Sequence, residues 1–212
     1  MRRRLVLSSV LPIVVLLLST SLQSHTQDKV TTSELGQDDY EIAAAVLKYV
    51  YPKGATGSVM IASKTATFAC NPPVDNGFDI GGCSGMRSAN VEPEDVMYSV
   101  RASIPGVPAA LAERLIQVGK DTATLTHAVP VPVKQFLAGP DKTPSDGLNP
   151  EMAFYMSRAA VADSGSGSKA LIYVGVVSWK DQSQSQGRYF YLEKSKRGWL
   201  VKDKFVIWTF GS

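Results

Sequence analysis

The last sixty or so residues constrain the fold of this chain most strongly, because β-rich runs alternate there with short polar segments. One such segment, 163–168, has the sequence Asp-Ser-Gly-Ser-Gly-Ser, whose residue types favour turns. Parallel neighbours need a crossover of about a dozen residues, so connections this short predict antiparallel pairing. We therefore predict a four-stranded antiparallel meander from the runs 154–161, 169–179, 188–194 and 199–208.

The second of these runs is apolar on both faces. Side chains alternate along a strand, so Ile172 and Val174 lie on one face. Leu171 and Tyr173 lie on the opposite face. An antiparallel sheet can leave one face to solvent, but this strand needs a cover on each side. The candidates for the second cover are a helix, the proline-rich segment 129–150 or a partner molecule.

A helical pattern begins soon after the N-terminal region. Apolar residues from Ile42 to Val50 recur at the spacing of one helix face. Asp38 or Asp39 can cap the start of this helix, and Pro52 follows its end. The segment therefore predicts an amphipathic helix that packs one face on the sheet.

Further elements are predicted between this helix and the meander. Residues 58–68 favour a strand, and segments 93–103 and 108–118 favour helices, because a proline suits the first helical position. Five prolines within 129–150 exclude a central strand there. The predicted class is α+β, with the C-terminal four-stranded antiparallel meander packed against two or three N-terminal helices in a single domain, 38–212.

The N terminus has the pattern of an export leader. Arg2 to Arg4 precede an apolar run of 14 residues, 5–18, and small and polar residues follow it. We expect residues 1–24 to be a signal peptide and residues 25–37 a flexible tail, so the chain is expected to be exported, as a periplasmic or secreted protein. The alternative is an uncleaved membrane anchor, for which this run is short, because a span needs about 20 apolar residues.

The charge balance gives no reason to expect a nucleic-acid partner. Without Arg2 to Arg4, 19 basic residues face 19 acidic ones, and a chain near neutrality lacks the electrostatic footprint of nucleic-acid binding. The basic segment 188–204 predicts the solvated face of a hairpin, with an anionic partner as the alternative. The expected partner is an unknown protein or small molecule, and a membrane only through the leader if it stays uncleaved.

The chain contains two cysteines, Cys70 and Cys83. In an exported protein they predict a disulfide that closes a glycine- and proline-rich loop. Such a bridge stabilises by about 3 kcal/mol in the loop-entropy model. A redox pair is a weaker interpretation because the spacing is not C-x-x-C, and a metal site is weaker still because His or Cys partners are not nearby.

Signals for nucleophilic catalysis are weak. Ser84 lies among glycines, but Met86 breaks the G-x-S-x-G pattern. His127 is the candidate base, with Asp121 or Asp95 to orient it, and the sequence does not place these groups together. We therefore expect no catalytic residue, and a hydrolase with a pocket between sheet and helices is the alternative hypothesis.

Carboxylate pairs give no better evidence of a reaction or a metal. Glu92 and Glu94 offer an acid and a base for glycoside hydrolysis, but they more simply favour a helix N terminus. Asp75 and Asp79 do not fit a calcium-binding loop. The glycines match neither phosphate-loop pattern. The sequence predicts no metal and no cofactor.

Aromatic residues of the meander form the candidate binding surface. Cross-strand aromatic pairs ordinarily stabilise a sheet, whereas exposed ones offer a stacking surface to a ligand. The leading functional hypothesis is an exported binding or interaction module that uses the C-terminal sheet. The residues proposed for this surface are Tyr173, Trp179, Tyr189, Tyr191 and Trp199.

The C-terminal region also resembles a family of uncharacterised exported bacterial proteins. That family shows an S-R-V-x-F segment, an A-L-V-Y-V strand, a Y-x-L-L-E-K strand and a closing G-x-W-x-V. The similar segments here are 156–161, 170–175, 191–194 and 199–202, although Ala159-Ala160-Val161 departs from the first motif. The resemblance implies an antiparallel sheet and an exported location, and it carries over no catalytic residue.

Overall fold

The computed structural model describes residues 33–51, 59–66, 92–132, 134–138, 152–165, 167–178 and 181–209. The leader and most of the predicted tail lie outside these ranges, so the expectations about export stay predictions. The same holds for the predicted disulfide and for several candidate residues: Cys70, Cys83, Asp75, Asp79, Ser84 and Trp179. Within the described ranges, none of the helices is long and apolar enough to cross a membrane.

Helices and strands alternate through the described ranges, which confirms the α+β class. The helices are α1 (Gln37–Val50), α2 (Pro93–Ser103) and α3 (Ala109–Val118). The strands are β1 (Ser33–Glu34), β2 (Val59–Ala62), β3 (Ala123–Thr124), β4 (Gln135–Ala138), β5 (Met152–Met156), β6 (Ala160–Ser164), β7 (Gly167–Ser178), β8 (Gln186–Ser195) and β9 (Gly198–Thr209).

Local sequence signals explain where the helices begin. Pro93 lies in the first turn of α2, and Pro108 immediately precedes α3; proline has no N–H to lose at these positions. Helix α1 begins after Gly36, whose N–H donates to the Asp39 carboxylate at 3.1 Å. The N-cap residue is therefore Gly36 and not the predicted Asp38 or Asp39, and Asp39 supports the cap from inside the first turn.

The strands β5, β7, β8 and β9 pair antiparallel in sequence order, as in the predicted meander. The sheet is larger than the four strands predicted. Across the described residues it contains seven strands in the order β4-β2-β5-β7-β8-β9, with β6 beside β7. Strand β2 pairs in parallel with both β4 and β5. The meander is therefore one part of a mixed sheet, and among the described residues β4 lies at one end of the strand order and pairs with β2.

A β-bulge divides the first predicted run into β5 and β6. Between the pairs Met156–Val174 and Ala160–Leu171, three residues (157–159) stand opposite two residues of β7 (172 and 173). One extra residue is thus inserted, as in a β-bulge. At the break, the Ser157 hydroxyl accepts a hydrogen bond from the Tyr173 N–H at 3.0 Å. The side chain thus supplies an acceptor where regular pairing is interrupted.

Helices cover both faces of the sheet. Helix α1 packs on the face that carries Phe154 and Ile172, and helices α2 and α3 pack on the face that carries Tyr155 and Leu171. The two apolar faces predicted for β7 are thus each buried under helices. Burial of apolar area on both sides stabilises the sheet, at roughly 25 cal/mol for each Å² removed from water.

Part of the predicted tail is ordered. Ser33–Glu34 forms β1, which pairs in parallel with Ala123–Thr124, so regular structure starts before the expected Asp38. This pairing joins residues about 90 positions apart in the sequence. A two-residue strand with such a distant partner leaves no periodic pattern for sequence reasoning to find.

Tyr191 provides a prediction about alkaline stability. Its buried hydroxyl donates to the Glu193 carboxylate at 3.0 Å, and burial together with this bond raises its pKa to about 12. In the unfolded chain tyrosine titrates near 10, so between about pH 10 and 12 the folded state keeps a proton that the unfolded state loses. This contribution is complete below about pH 10 and is lost as the pH rises toward 12. From pH 9 to pH 11, we expect the free energy of unfolding, measured with urea, to fall less in Tyr191→Phe than in the parent.

The matched control for this measurement is Tyr98→Phe, because Tyr98 is 75% exposed. The parent and both variants share all their lysine and arginine residues, so the comparison between variants is the informative one. If Tyr191→Phe loses as much stability as the parent over this interval, then Tyr191 does not provide the alkaline dependence.

Candidate functional site

Four of the five aromatic residues proposed as a binding surface lie inside the two cores, and the fifth, Trp179, lies outside the described residues. The exposed fraction is 4% for Tyr173, 1% for Tyr189, 3% for Tyr191 and 6% for Trp199. The first three pack beneath α2 and α3, and Trp199 packs beneath α1. The uncovered aromatic face on which the binding hypothesis depended is therefore not present at these four positions, because helices occupy both sides of the sheet.

Trp199 nevertheless borders a cleft on the α1 side of the molecule. The cleft has a volume of about 540 Å³. Three segments far apart in the sequence form its walls: the exposed side and C-terminal end of α1, the segment Pro130–Pro132, and the turn that joins β8 to β9. The residues that line it are Glu41, Ala44, Ala45, Leu47, Lys48, Tyr51, Pro130, Val131, Pro132, Arg197, Gly198 and Trp199.

The α1 wall is open because of two small residues. Ala44 and Ala45 are partly buried and line the cleft, where larger side chains would fill the space. Leu47, from the adjacent part of the helix, is buried in the core beneath. The helix thus contributes a shallow apolar surface to the cleft and still anchors itself to the sheet.

The proline wall is held in place by one side chain. The Gln135 side-chain oxygen accepts from the Val129 N–H at 2.9 Å, and its amide donates to the Val129 carbonyl at 2.6 Å. Between these bonds the Val131 N–H closes a tight turn on the Val129 carbonyl at 2.8 Å. Because both hydrogen-bonding groups of Gln135 are used, the segment is fixed before any ligand arrives, which lowers the entropic cost of binding.

The hairpin wall is shaped by its turn. Gly198 has a φ of +106°, which L side chains rarely adopt, and it pairs with Ser195 across the two-residue connection. The Ser195 hydroxyl donates to the Gly198 carbonyl at 2.9 Å and accepts from the Arg197 N–H at 3.1 Å. The turn therefore places Arg197 and Trp199 at the cleft in a defined geometry.

The indole of Trp199 is the most unusual group in the cleft wall. Its Nε1 is buried and has no hydrogen-bond partner among the described residues. A buried donor without an acceptor costs about 1–3 kcal/mol, and most such groups in folded proteins are satisfied. The same residue also lines the cleft.

An ionic cluster ties α1 to the hairpin beside Trp199. Lys194 Nζ lies 2.9 Å from the Asp38 carboxylate and 3.9 Å from the Glu41 carboxylate, and 5.2 Å from the centre of the Trp199 ring. The hydrogen bond to Asp38 raises the pKa of Lys194, so its positive charge persists across the physiological range. Glu41, which lines the cleft, therefore already faces a cation.

The cleft also carries two cations that lack such partners. Lys48 on α1 and Arg197 on the hairpin turn line it, and neither forms an ion pair with a carboxylate in the part of the chain that the structure describes. Both side chains are exposed. The cleft thus combines apolar walls with a basic character at its polar positions.

The residues considered for catalysis are not assembled into a site in the described ranges. His127 stacks on Tyr40 with ring centres 3.9 Å apart, and its Nδ1 lies 3.2 Å from the Thr126 hydroxyl. Asp95 is exposed in the first turn of α2, where acidic residues favour the helix dipole. The described residues contain no group of three His, Cys, Asp or Glu side chains placed to hold a metal.

The remaining carboxylates considered at the sequence level have similarly local positions. Glu92 immediately precedes α2 and Glu94 lies in its first turn, which agrees with a role at a helix start. Asp121 is exposed after the end of α3. These placements bring together no acid and base around a common cavity.

Sequence reasoning missed the cleft because its three walls have no shared local pattern. Two clues were present: adjacent small residues at Ala44 and Ala45 on an amphipathic helix, and prolines flanking Val131. Neither indicates that the segments meet until the sheet positions them. No protein-family profile, curated protein or solved structure matches this chain.

Proposed function

We propose that this chain is an exported binding protein whose ligand site is the Trp199 cleft, defined by the walls from α1, Pro130–Pro132 and the β8–β9 turn. The observation that carries the proposal is the cleft itself, a space of about 540 Å³ between three walls, with the largely buried side chain of Trp199 in its lining. Export rests on the leader pattern at residues 1–24.

The size and lining of the cleft support this proposal. Its volume of about 540 Å³ falls within the interval of roughly 300–1,000 Å³ that is typical of small-molecule sites. Alanine, leucine, valine, proline and tryptophan side chains supply the apolar part of its wall. A few polar groups among apolar walls are the usual means by which such sites orient a ligand.

Binding of a neutral apolar probe tests the proposal. N-phenyl-1-naphthylamine is expected to bind saturably to the full chain, with energy transfer from tryptophan, because it matches the apolar walls. Ala45→Phe is expected to weaken this binding about tenfold or more, a loss of at least about 1.4 kcal/mol, because the ring fills the cleft. Fluorescence titration measures both.

The matched control is Ala102→Phe, which adds the same ring at an exposed position on α2. Thermal unfolding of both variants establishes that each is folded during the titration. If the probe does not bind the folded parent, or if Ala45→Phe and Ala102→Phe bind it equally well, the cleft is not a ligand site.

A further inference from the structure

The charges around the Trp199 cleft are unequal. Lys48, Arg197 and Lys194 provide three positive charges at or beside it. Asp38 and Glu41 provide two negative charges, and both lie against Lys194. The two carboxylates share one cation and exceed it by one charge, so the five groups together carry a net charge of +1, with the positive excess on Lys48 and Arg197. A positively charged ligand would meet repulsion here.

The kinds of donor present also favour an anion. The guanidinium of Arg197 offers a planar fork that matches the two oxygens of a carboxylate or sulfonate. Lys48, in the last turn of α1, adds a second charge to the lining. Neither the apolar surface of Ala44 and Ala45 nor the proline wall offers a charged acceptor. A ligand that satisfies the whole cleft needs an apolar body and an acidic group.

We propose that the Trp199 cleft takes an amphipathic organic anion, with its apolar body between the Ala44–Ala45 surface of α1 and the Pro130–Pro132 wall and its carboxylate or sulfonate on Arg197 and Lys48. This inference rests on the proposed function and adds the chemical class of the ligand. It assigns Arg197 and Lys48 as the residues that select for charge.

A pair of probes with the same ring skeleton tests the selection for charge. 1-Anilinonaphthalene-8-sulfonate carries a sulfonate that N-phenyl-1-naphthylamine lacks. The anionic probe is expected to bind the parent about tenfold more tightly than the neutral one, as a few charge-assisted contacts allow. Added salt is expected to reduce this preference, because the two cations are exposed and screened.

Removal of both cations identifies the site of selection. The double variant Lys48→Gln/Arg197→Gln is expected to bind the two probes with nearly equal affinity, so the ratio of the two affinities in each protein is the quantity to compare. The control double variant, Lys120→Gln/Lys196→Gln, removes two exposed cations that do not line the cleft. It is expected to keep the tenfold preference.

Competition with aliphatic compounds extends the test beyond the dyes. Decanoate and decan-1-ol share a chain length and differ in charge at neutral pH. Decanoate is expected to displace the anionic probe from the parent at concentrations about tenfold lower than decan-1-ol. The difference is expected to disappear in Lys48→Gln/Arg197→Gln.

The outcomes separate this inference from the proposed function. If the neutral probe binds in the cleft and the anionic probe binds no more tightly, the preference for anions is overturned and the binding function stands. A preference that survives in Lys48→Gln/Arg197→Gln also overturns the inference, because the anion then binds elsewhere. If neither probe binds the folded parent, the proposed function itself is wrong.

Discussion

Gly187→Ala is expected to lower the free energy of unfolding by about 3 kcal/mol or more, the upper part of the interval for overpacking. Gly187 on β8 pairs with Gly175 on β7 and with Trp208 on β9. The Trp208 indole lies across Gly187, so an added Cβ would overlap its Nε1 and lie 2.7 Å from its Cδ1. The clashing atoms all belong to the Trp208 ring, so the ring would have to shift to make room for the added Cβ.

A further contact adds to the cost of this substitution. Trp208 Nε1 donates to the Tyr173 hydroxyl at 2.9 Å, and displacement of the ring would break that bond, at a net cost of about 1 kcal/mol. Chemical denaturation of the parent and variant measures the sum. The expected signature is a lower midpoint with an unchanged slope.

Two controls make the Gly187 prediction specific. Gly165→Ala is expected to change stability by less than about 0.5 kcal/mol, since nothing lies within 4 Å of the added Cβ. In a Trp208→Ala background, Gly187→Ala is expected to cost less than about 1 kcal/mol, because the ring it meets is gone. Equal costs in the two backgrounds would show that contact with Trp208 is not the cause.

Asp39→Ala is expected to lower the free energy of unfolding by about 2–3 kcal/mol, because the carboxylate makes two charge-assisted bonds. One oxygen accepts from the Gly36 N–H at 3.1 Å and supports the cap of α1. The other accepts from the Ala159 N–H at 2.9 Å, at the bulge between β5 and β6. The side chain thus joins a helix start to a strand break 120 residues away, and its removal leaves a buried N–H without its acceptor.

The neighbouring carboxylate provides a matched control for Asp39. Asp38 forms an exposed ion pair with Lys194, and such pairs contribute about 0–1 kcal/mol. Asp38→Ala is therefore expected to lower the free energy of unfolding by less than about 1 kcal/mol. Asp39→Asn keeps one acceptor, so its loss of stability is expected to lie between those of Asp38→Ala and Asp39→Ala. Thermal and urea unfolding compare the three. If Asp38→Ala destabilises the protein as much as Asp39→Ala, the hydrogen bond from Ala159 to Asp39 does not explain the cost of removing Asp39.

The helices and the C-terminal strands were predictable because their signals are local. Pro93 and the acids that follow it mark the start of α2 within one turn of chain. The β8–β9 hairpin needs only a two-residue connection and Gly198 at positive φ. Such elements depend on neighbours a few positions away, and a single sequence contains that information in full.

The candidate site was not predictable in the same way. Tyr173, Tyr189, Tyr191 and Trp199 lie in strands as predicted, but their sequence pattern cannot distinguish an exposed face from one buried under helices. Trp199 differs from the other three because it also lines a cleft, whose other walls come from residues 41–51 and 130–132. That arrangement depends on where α1 crosses the sheet, which is a tertiary property.

By itself the sequence determined the α+β class, the helix starts, and the antiparallel order of β5, β7, β8 and β9, since these follow from periodicity, turn chemistry and short connections. Only the tertiary structure decided the parallel pairing of β2, the split of the helices between the two faces, and the cleft beside Trp199. The physical reason is that these features join segments separated by many tens of residues. They are selected by the burial of complementary apolar surfaces, and no local pattern encodes which surfaces meet.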